Sequence, residues 1–188
     1  MHKQVALLIC AGMLAGCQSG TTYPPVSEQL PEVEVKFADA RWTGEKIPKG
    51  MMCAMRGGDN PTTPPLQITN IPPEANAVIV EFNDISYPPL ATGGGHGRIG
   101  FWIDPAQSDS STISLPAVAA RSDKIGPQAF VEQKARTSGR YASAGYLPPC
   151  SDWKGNTYTA DIKVVYKARS EGEPNKLLAE GHIVLGKF

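Results

Sequence analysis

Short alternating or wholly apolar runs, separated by turn-forming residues, dominate this chain. Val33-Glu34-Val35-Lys36-Phe37 alternates with period two, as a strand with one buried face does. Ala77-Val78-Ile79-Val80-Glu81-Phe82 is apolar and β-branched, which predicts a strand covered on both faces. Phe101-Trp102-Ile103, closed by Asp104-Pro105, predicts another. Between Tyr158 and Tyr166 the pattern is most regular: Tyr158, Ala160, Ile162, Val164 and Tyr166 face one way, and Thr159, Asp161, Lys163 and Val165 the other. Gly181 to Leu185 supplies a last strand. Two stretches predict helix, namely Pro127 to Arg136, which Pro127 can open, and Asn175 to Glu180. Seventeen prolines and nineteen glycines break the remainder into turns and long loops. The expected fold is mainly β, an antiparallel β-sandwich with one or two peripheral helices.

The first residues follow a different pattern. Met1-His2-Lys3, an apolar run and Leu14-Ala15-Gly16-Cys17 have the anatomy of an export signal. The apolar stretch from Val5 to Gly16 is too short to cross about 30 Å of hydrocarbon. Leu-Ala-Gly-Cys is similar to a bacterial lipobox, which implies that the Cys17 thiol receives a diacylglycerol and becomes the mature N-terminus. The alternative is an ordinary signal peptide with a stray cysteine. Gln18 departs from the Asp-bearing pattern of inner-membrane lipoproteins, so the resemblance implies the outer membrane, with the domain facing the periplasm. Residues 17–32 are polar, proline-bearing and aperiodic, and are expected to form a lipidated flexible tether; a docked N-terminal arm is the alternative. The expected organisation is therefore a signal peptide over 1–16, the tether over 17–32 and one folded domain over 33–188.

Charge narrows the function. Lys3 leaves with the signal, so seventeen basic side chains face eighteen acidic ones, a balance of one negative charge. Nothing here recruits a polyanion, and nucleic acid is not an expected partner. Of the four cysteines, Cys10 goes with the signal and Cys17 is lipidated, which leaves Cys53 and Cys150. Two thiols in an exported domain favour a disulfide. A metal or redox pair is the alternative, and the spacing is nothing like CxxC.

Several patches, in order, resemble the phosphatidylethanolamine-binding protein family. Trp42-Thr43-Gly44-Glu45-Lys46-Ile47-Pro48, then Met51-Met52-Cys53 and Gly58-Asp59-Asn60, is similar to its opening motif, and Pro64-Pro65-Leu66-Gln67-Ile68 to its SPPLxW. Gly145-Tyr146-Leu147-Pro148-Pro149-Cys150 resembles its GYGGPCPP segment, and Leu178-Ala179-Glu180-Gly181 its C-terminal strand. The resemblance implies a sandwich with a small anion-binding pocket at one end, and bacterial members with cysteines at the positions of Cys53 and Cys150 support the disulfide. It places the family's DPDAP on Asp84-Ile85-Ser86-Tyr87-Pro88. An ungapped pairing of the glycine-rich strand puts Arg98 where the family has a pocket histidine. The second histidine falls on Tyr158 or, with a slip of one, on Thr159, the strand's alternation favouring Tyr158. Both pocket histidines are then expected to be lost, and Asp84, Ser86, Arg98 and Tyr158 are the expected ligand-binding set. The alternative is that Arg98 pairs with Asp84 and plugs a vestigial pocket.

Read on their own chemistry, the residues suggest no catalyst. His96 lies in a glycine-rich loop and His182 at a strand start beside Glu180; no HExxH or CxxC offers a metal site. Ser86 and Ser143 have no identifiable base and no GxSxG elbow. Gly93-Gly94-Gly95-His96-Gly97-Arg98 lacks the Lys-Ser/Thr of a phosphate loop. Arg98 beside glycine amides suits a phosphate or carboxylate. The expectation is an anchored, non-catalytic module without cofactor or metal that holds a small anion or phospholipid headgroup. The alternatives are a structural lipoprotein that contacts an envelope protein partner, or a hydrolase.

Overall fold

The computed structural model describes residues 21–104, 111–152 and 154–188. The expected signal peptide, the Cys17 lipidation site, Pro105 and Trp153 lie outside them.

Among the described residues, eight strands make two antiparallel sheets. The smaller carries β1 (Glu34–Phe37), β2 (Leu66–Thr69) and β5 (Thr112–Leu115) in the order β1-β2-β5. The larger carries β3 (Ala77–Asp84), β4 (Arg98–Trp102), β6 (Ala129–Gln133), β7 (Thr157–Tyr166) and β8 (Lys176–Lys187), in the order β6-β4-β3-β7-β8. Between the sheets Leu66, Ile68, Ile113 and Leu115 meet Val78, Val80, Phe82, Ile99, Ile162 and Val164 in one core. This is the expected sandwich, and burial of two facing apolar surfaces is what holds it together.

Strand β3 explains the wholly apolar run. It pairs with β4 and β7, and all eight of its residues are buried. Val78, Val80 and Phe82 enter the main core, whereas Ala77 and Ile79 join a smaller cluster on the outer face with Val165 and Leu177. Strand β7 alternates as expected, with Tyr158, Ala160, Ile162 and Val164 inward.

The helix expectations are overturned: the described residues contain only single 3-10 turns at Ala54–Arg56, Pro88–Leu90 and Gly139–Tyr141. Pro127 to Arg136 holds β6, because Phe130 lies over Gly100 of β4, where a Cβ would come within 2.1 Å of the ring. Asn175 to Glu180 mostly belongs to β8, held along β7. In both, sheet pairing with distant partners overrides a local helical pattern.

The stretch expected as a tether is docked from Thr22 onward. Leu177 N donates to Pro24 O at 2.8 Å, Val26 N to Leu177 O at 3.1 Å, Glu180 N to Pro31 O at 3.0 Å and Val33 N to Glu180 O at 2.8 Å. This arm satisfies part of the free edge of β8. These four bonds are made by backbone, so no side-chain periodicity announces them.

Candidate functional site

The pocket end of the molecule is where β3 finishes, β4 begins and β7 begins. Asp84, the last residue of β3, stands opposite Tyr158 of β7. Its Oδ1 accepts from Ser86 N at 3.0 Å and its Oδ2 from Asn156 Nδ2 at 2.7 Å. Tyr158 is buried, and its hydroxyl accepts from Cys150 N at 3.3 Å and Ser151 N at 3.2 Å. Burial pushes that phenol up to about 12, so it keeps its proton to donate.

His96 reaches the same place through a bulge. Phe82 N donates to Gly97 O at 3.0 Å, while Phe82 O accepts from His96 N at 2.8 Å, so two residues oppose one. Gly97 carries the extra residue at a φ of +111°, a region open to glycine. The His96 imidazole is 3% exposed and meets Tyr158 edge-on, 5.3 Å between centroids. Its Nδ1 lies 2.9 Å from Leu147 O, which can only accept, so Nδ1 bears the hydrogen and Nε2 the lone pair. Nε2 has no hydrogen-bond partner. Burial holds the imidazole below its ordinary pKa, and the ring is neutral.

These groups line a cavity of about 640 Å³. Its walls include Leu90, Leu147 and Cys150, and its rim brings Lys134, Arg136 and Lys154 near Asp152. Arg136 donates to carbonyl oxygens, Gly93 O at 3.0 Å, Thr92 O at 2.6 Å and Pro89 O at 3.2 Å, which fixes the guanidinium. Cys150 is bonded to Cys53 with Cα atoms 5.3 Å apart, tying the cavity wall to the 3-10 turn at Ala54–Arg56.

Of the four expected ligand-binding residues, the structure brings Asp84 and Tyr158 together at the cavity. Ser86 is exposed and turns its Oγ to accept from Thr157 N at 2.9 Å. Arg98 lies on the opposite face of the sheet. It is the cross-strand partner of Glu81, whose Oε1 is 3.0 Å from Arg98 Nε, and Nε also donates to Gly93 O. Neither a pocket contact nor an Arg98–Asp84 pair is present. The bulge at Gly97 is the reason, since one inserted residue inverts the alternation, and His96 and Arg98, two apart, point to opposite faces. The expected loss of both pocket histidines is corrected accordingly, for one imidazole does line the cavity. Arg136, Asn156, Lys134 and Lys154 were not singled out by sequence; nothing local distinguishes them from solvated polar residues.

The remaining candidates lie elsewhere. His182 Nδ1 is 2.7 Å from Asp161 Oδ1 in a second cavity of about 530 Å³, roofed by residues 30–32 of the arm. Ser143 is buried with its hydroxyl spent on Gly145 O and Tyr146 O.

No family model matches the chain, and no curated protein matches it. Solved structures do. YbcL of Escherichia coli, described as a new member of the mammalian phosphatidylethanolamine-binding protein family, is 21% identical with a TM-score of 0.51, over 84% of this chain and 98% of that one. A protein of Chlamydia trachomatis described as a phosphatidylethanolamine-binding protein homologue, CT736, is 18% identical with a TM-score of 0.47, over 84% and 97%. The likeness to YbcL shows that this chain has the fold of that family.

Proposed function

We propose that this chain is an envelope-anchored, non-catalytic lipoprotein of the outer membrane whose end cavity holds a small phosphate-bearing anion or a phospholipid headgroup. One observation carries the reading: a buried neutral imidazole, fixed at Nδ1 and with its Nε2 closed to solvent, lines with Asp84 and Tyr158 a cavity that has cations at its rim. Lys134, Lys154 and Arg136 attract the anion, Tyr158 donates to it, and the imidazole takes up a proton as the anion's charge arrives beside it. A zwitterionic headgroup would set its ammonium against Asp84.

The non-catalytic part rests on the absence of an activated nucleophile in the arrangement. Ser151 Oγ donates to Phe188 O at 2.6 Å, and the His182–Asp161 pair is on the other face of the sheet.

Calorimetry with inorganic phosphate and phosphoethanolamine tests this. Binding is expected with proton uptake, seen as heat that changes with the buffer's ionisation enthalpy. Arg136→Ala and His96→Gln are each expected to weaken binding about tenfold, the loss of one favourable charge interaction. Arg98→Ala should leave affinity unchanged while lowering stability by about 2 kcal/mol, because Glu81, nearly buried, then keeps only Lys163. No heat with either compound removes the binding reading. A second reading would then stand, in which half-exposed Ile85 and Tyr87 beside the cavity contact an envelope protein.

A further inference from the structure

The docked arm fixes which end of the molecule the chain enters. Asn175 Nδ2 donates to Thr22 O at 3.3 Å. Tyr23 lies on the outer face of the large sheet, donating to Glu132 Oε1 at 2.9 Å and accepting from Lys167 Nζ at 3.0 Å. Lys167 follows β7 directly, and its backbone N donates to Asn76 Oδ1, next to the first residue of β3. Asp84 and the cavity are at the last residue of β3. Leu177, which donates to Pro24 O, aligns through Val165 with Ala77, so the chain enters at the start of β3. That is seven strand steps, or about 23 Å, from Asp84, while the Tyr23 side chain reaches along the outer face to Glu132.

Cys17 precedes Tyr23 by six residues. A fully extended chain of that length spans at most about 20 Å. A diacylglycerol on Cys17 thus holds the Tyr23 end near the bilayer, and the sixteen-residue tether read from sequence is cut to a few residues by the docking of the arm.

The surface at that end suits the headgroup region. Trp102, the cross-strand partner of Ala77, is 42% exposed and packs on Phe130 at 4.6 Å between centroids. Lys167 Nζ stands 5.3 Å from the Phe130 centroid and 5.6 Å from that of Tyr23, and is paired with nearly buried Glu132 at 3.0 Å. An exposed indole packed on a second aromatic ring suits a membrane–water interface. The 167–176 loop carries three cations and two carboxylates, so ring contact and the anchor dominate over bulk charge.

We propose that the end bearing Trp102, Phe130 and Tyr23 rests on the phospholipid bilayer that holds the Cys17 acyl chains, with the cavity directed away from it. The inference rests on the anchoring reading above and sharpens the binding one. The cavity then meets water-soluble phosphate compounds rather than headgroups of its own leaflet.

The test uses the acylated mature chain in vesicles of phosphatidylethanolamine and phosphatidylglycerol brominated near the headgroup end of one acyl chain. Tryptophan emission is expected to be quenched, and Trp102→Phe to abolish the quenched component. In that background Ile85→Trp, at the cavity end, is expected to emit unquenched. Unquenched Trp102 in acylated protein, or quenched Ile85→Trp, overturns the orientation and leaves anchoring intact. A mature N-terminal peptide without acyl mass removes the anchoring, and the orientation with it.

Discussion

Two side chains two positions apart decide the chemistry of the cavity. His96 turns inward to Tyr158 and Leu147, and Arg98 turns outward to Glu81. The buried imidazole leaves a signature in stability. Its pKa is held below the ordinary 6.5 by burial, so the folded state stays neutral where the unfolded state begins to bind a proton. Below about pH 6.5 the unfolded state holds more protons, and stability declines as pH falls from there toward the folded value. Urea unfolding at about pH 7.5 and 5.5 is expected to show this decline, and His96→Gln to lessen it while retaining a donor for Leu147 O. A variant that declines as steeply as the parent contradicts the assignment.

Single backbone irregularities do the positioning among the elements. The bulge at Gly97 sets the parity of β4 against the residues before it, and a Cβ there would sit 2.8 Å from Gly145 O. Gly97→Ala is expected to cost about 2–3 kcal/mol through the positive φ alone and to weaken phosphate binding by moving His96. Chemical denaturation and calorimetry read the two effects, and a variant with parental stability and affinity would show that the bulge is dispensable. The same feature explains what was legible in the sequence. The alternation of β7 and the apolar run of β3 named their own faces, because each strand is regular and its burial complete. Arg98 did not, since an ungapped pairing assumes an unbroken strand. β6 read as a helix because Phe130 finds its slot only when Gly100, thirty residues earlier, is beside it.

At the scale of the whole molecule, the Cys53–Cys150 bond joins the cavity wall to a turn 97 residues away in sequence. Closing such a loop contributes about 4–5 kcal/mol in the chain-entropy picture. Cys53→Ala with Cys150→Ala is expected to lose a comparable amount in urea unfolding, and to weaken phosphate binding because the segment whose backbone N–H groups hold the Tyr158 hydroxyl is no longer tied down. A double variant with unchanged stability would assign the bond no structural role.

By itself the amino-acid order determined the mainly β class and the strands β1, β3 and β7, since these follow from period-two or complete burial, and it favoured a bond between Cys53 and Cys150. The resemblance to the phosphatidylethanolamine-binding protein family also implied that Asp84 and Tyr158 share one place, and they stand opposite each other on β3 and β7. Only the tertiary structure decided that His96 rather than Arg98 enters the cavity, that Arg136 and Asn156 stand beside it, and that the arm lies along β8. Each of those outcomes depends on a bulge, a loop or a backbone-to-backbone contact, and none of these leaves a periodic trace in the side chains.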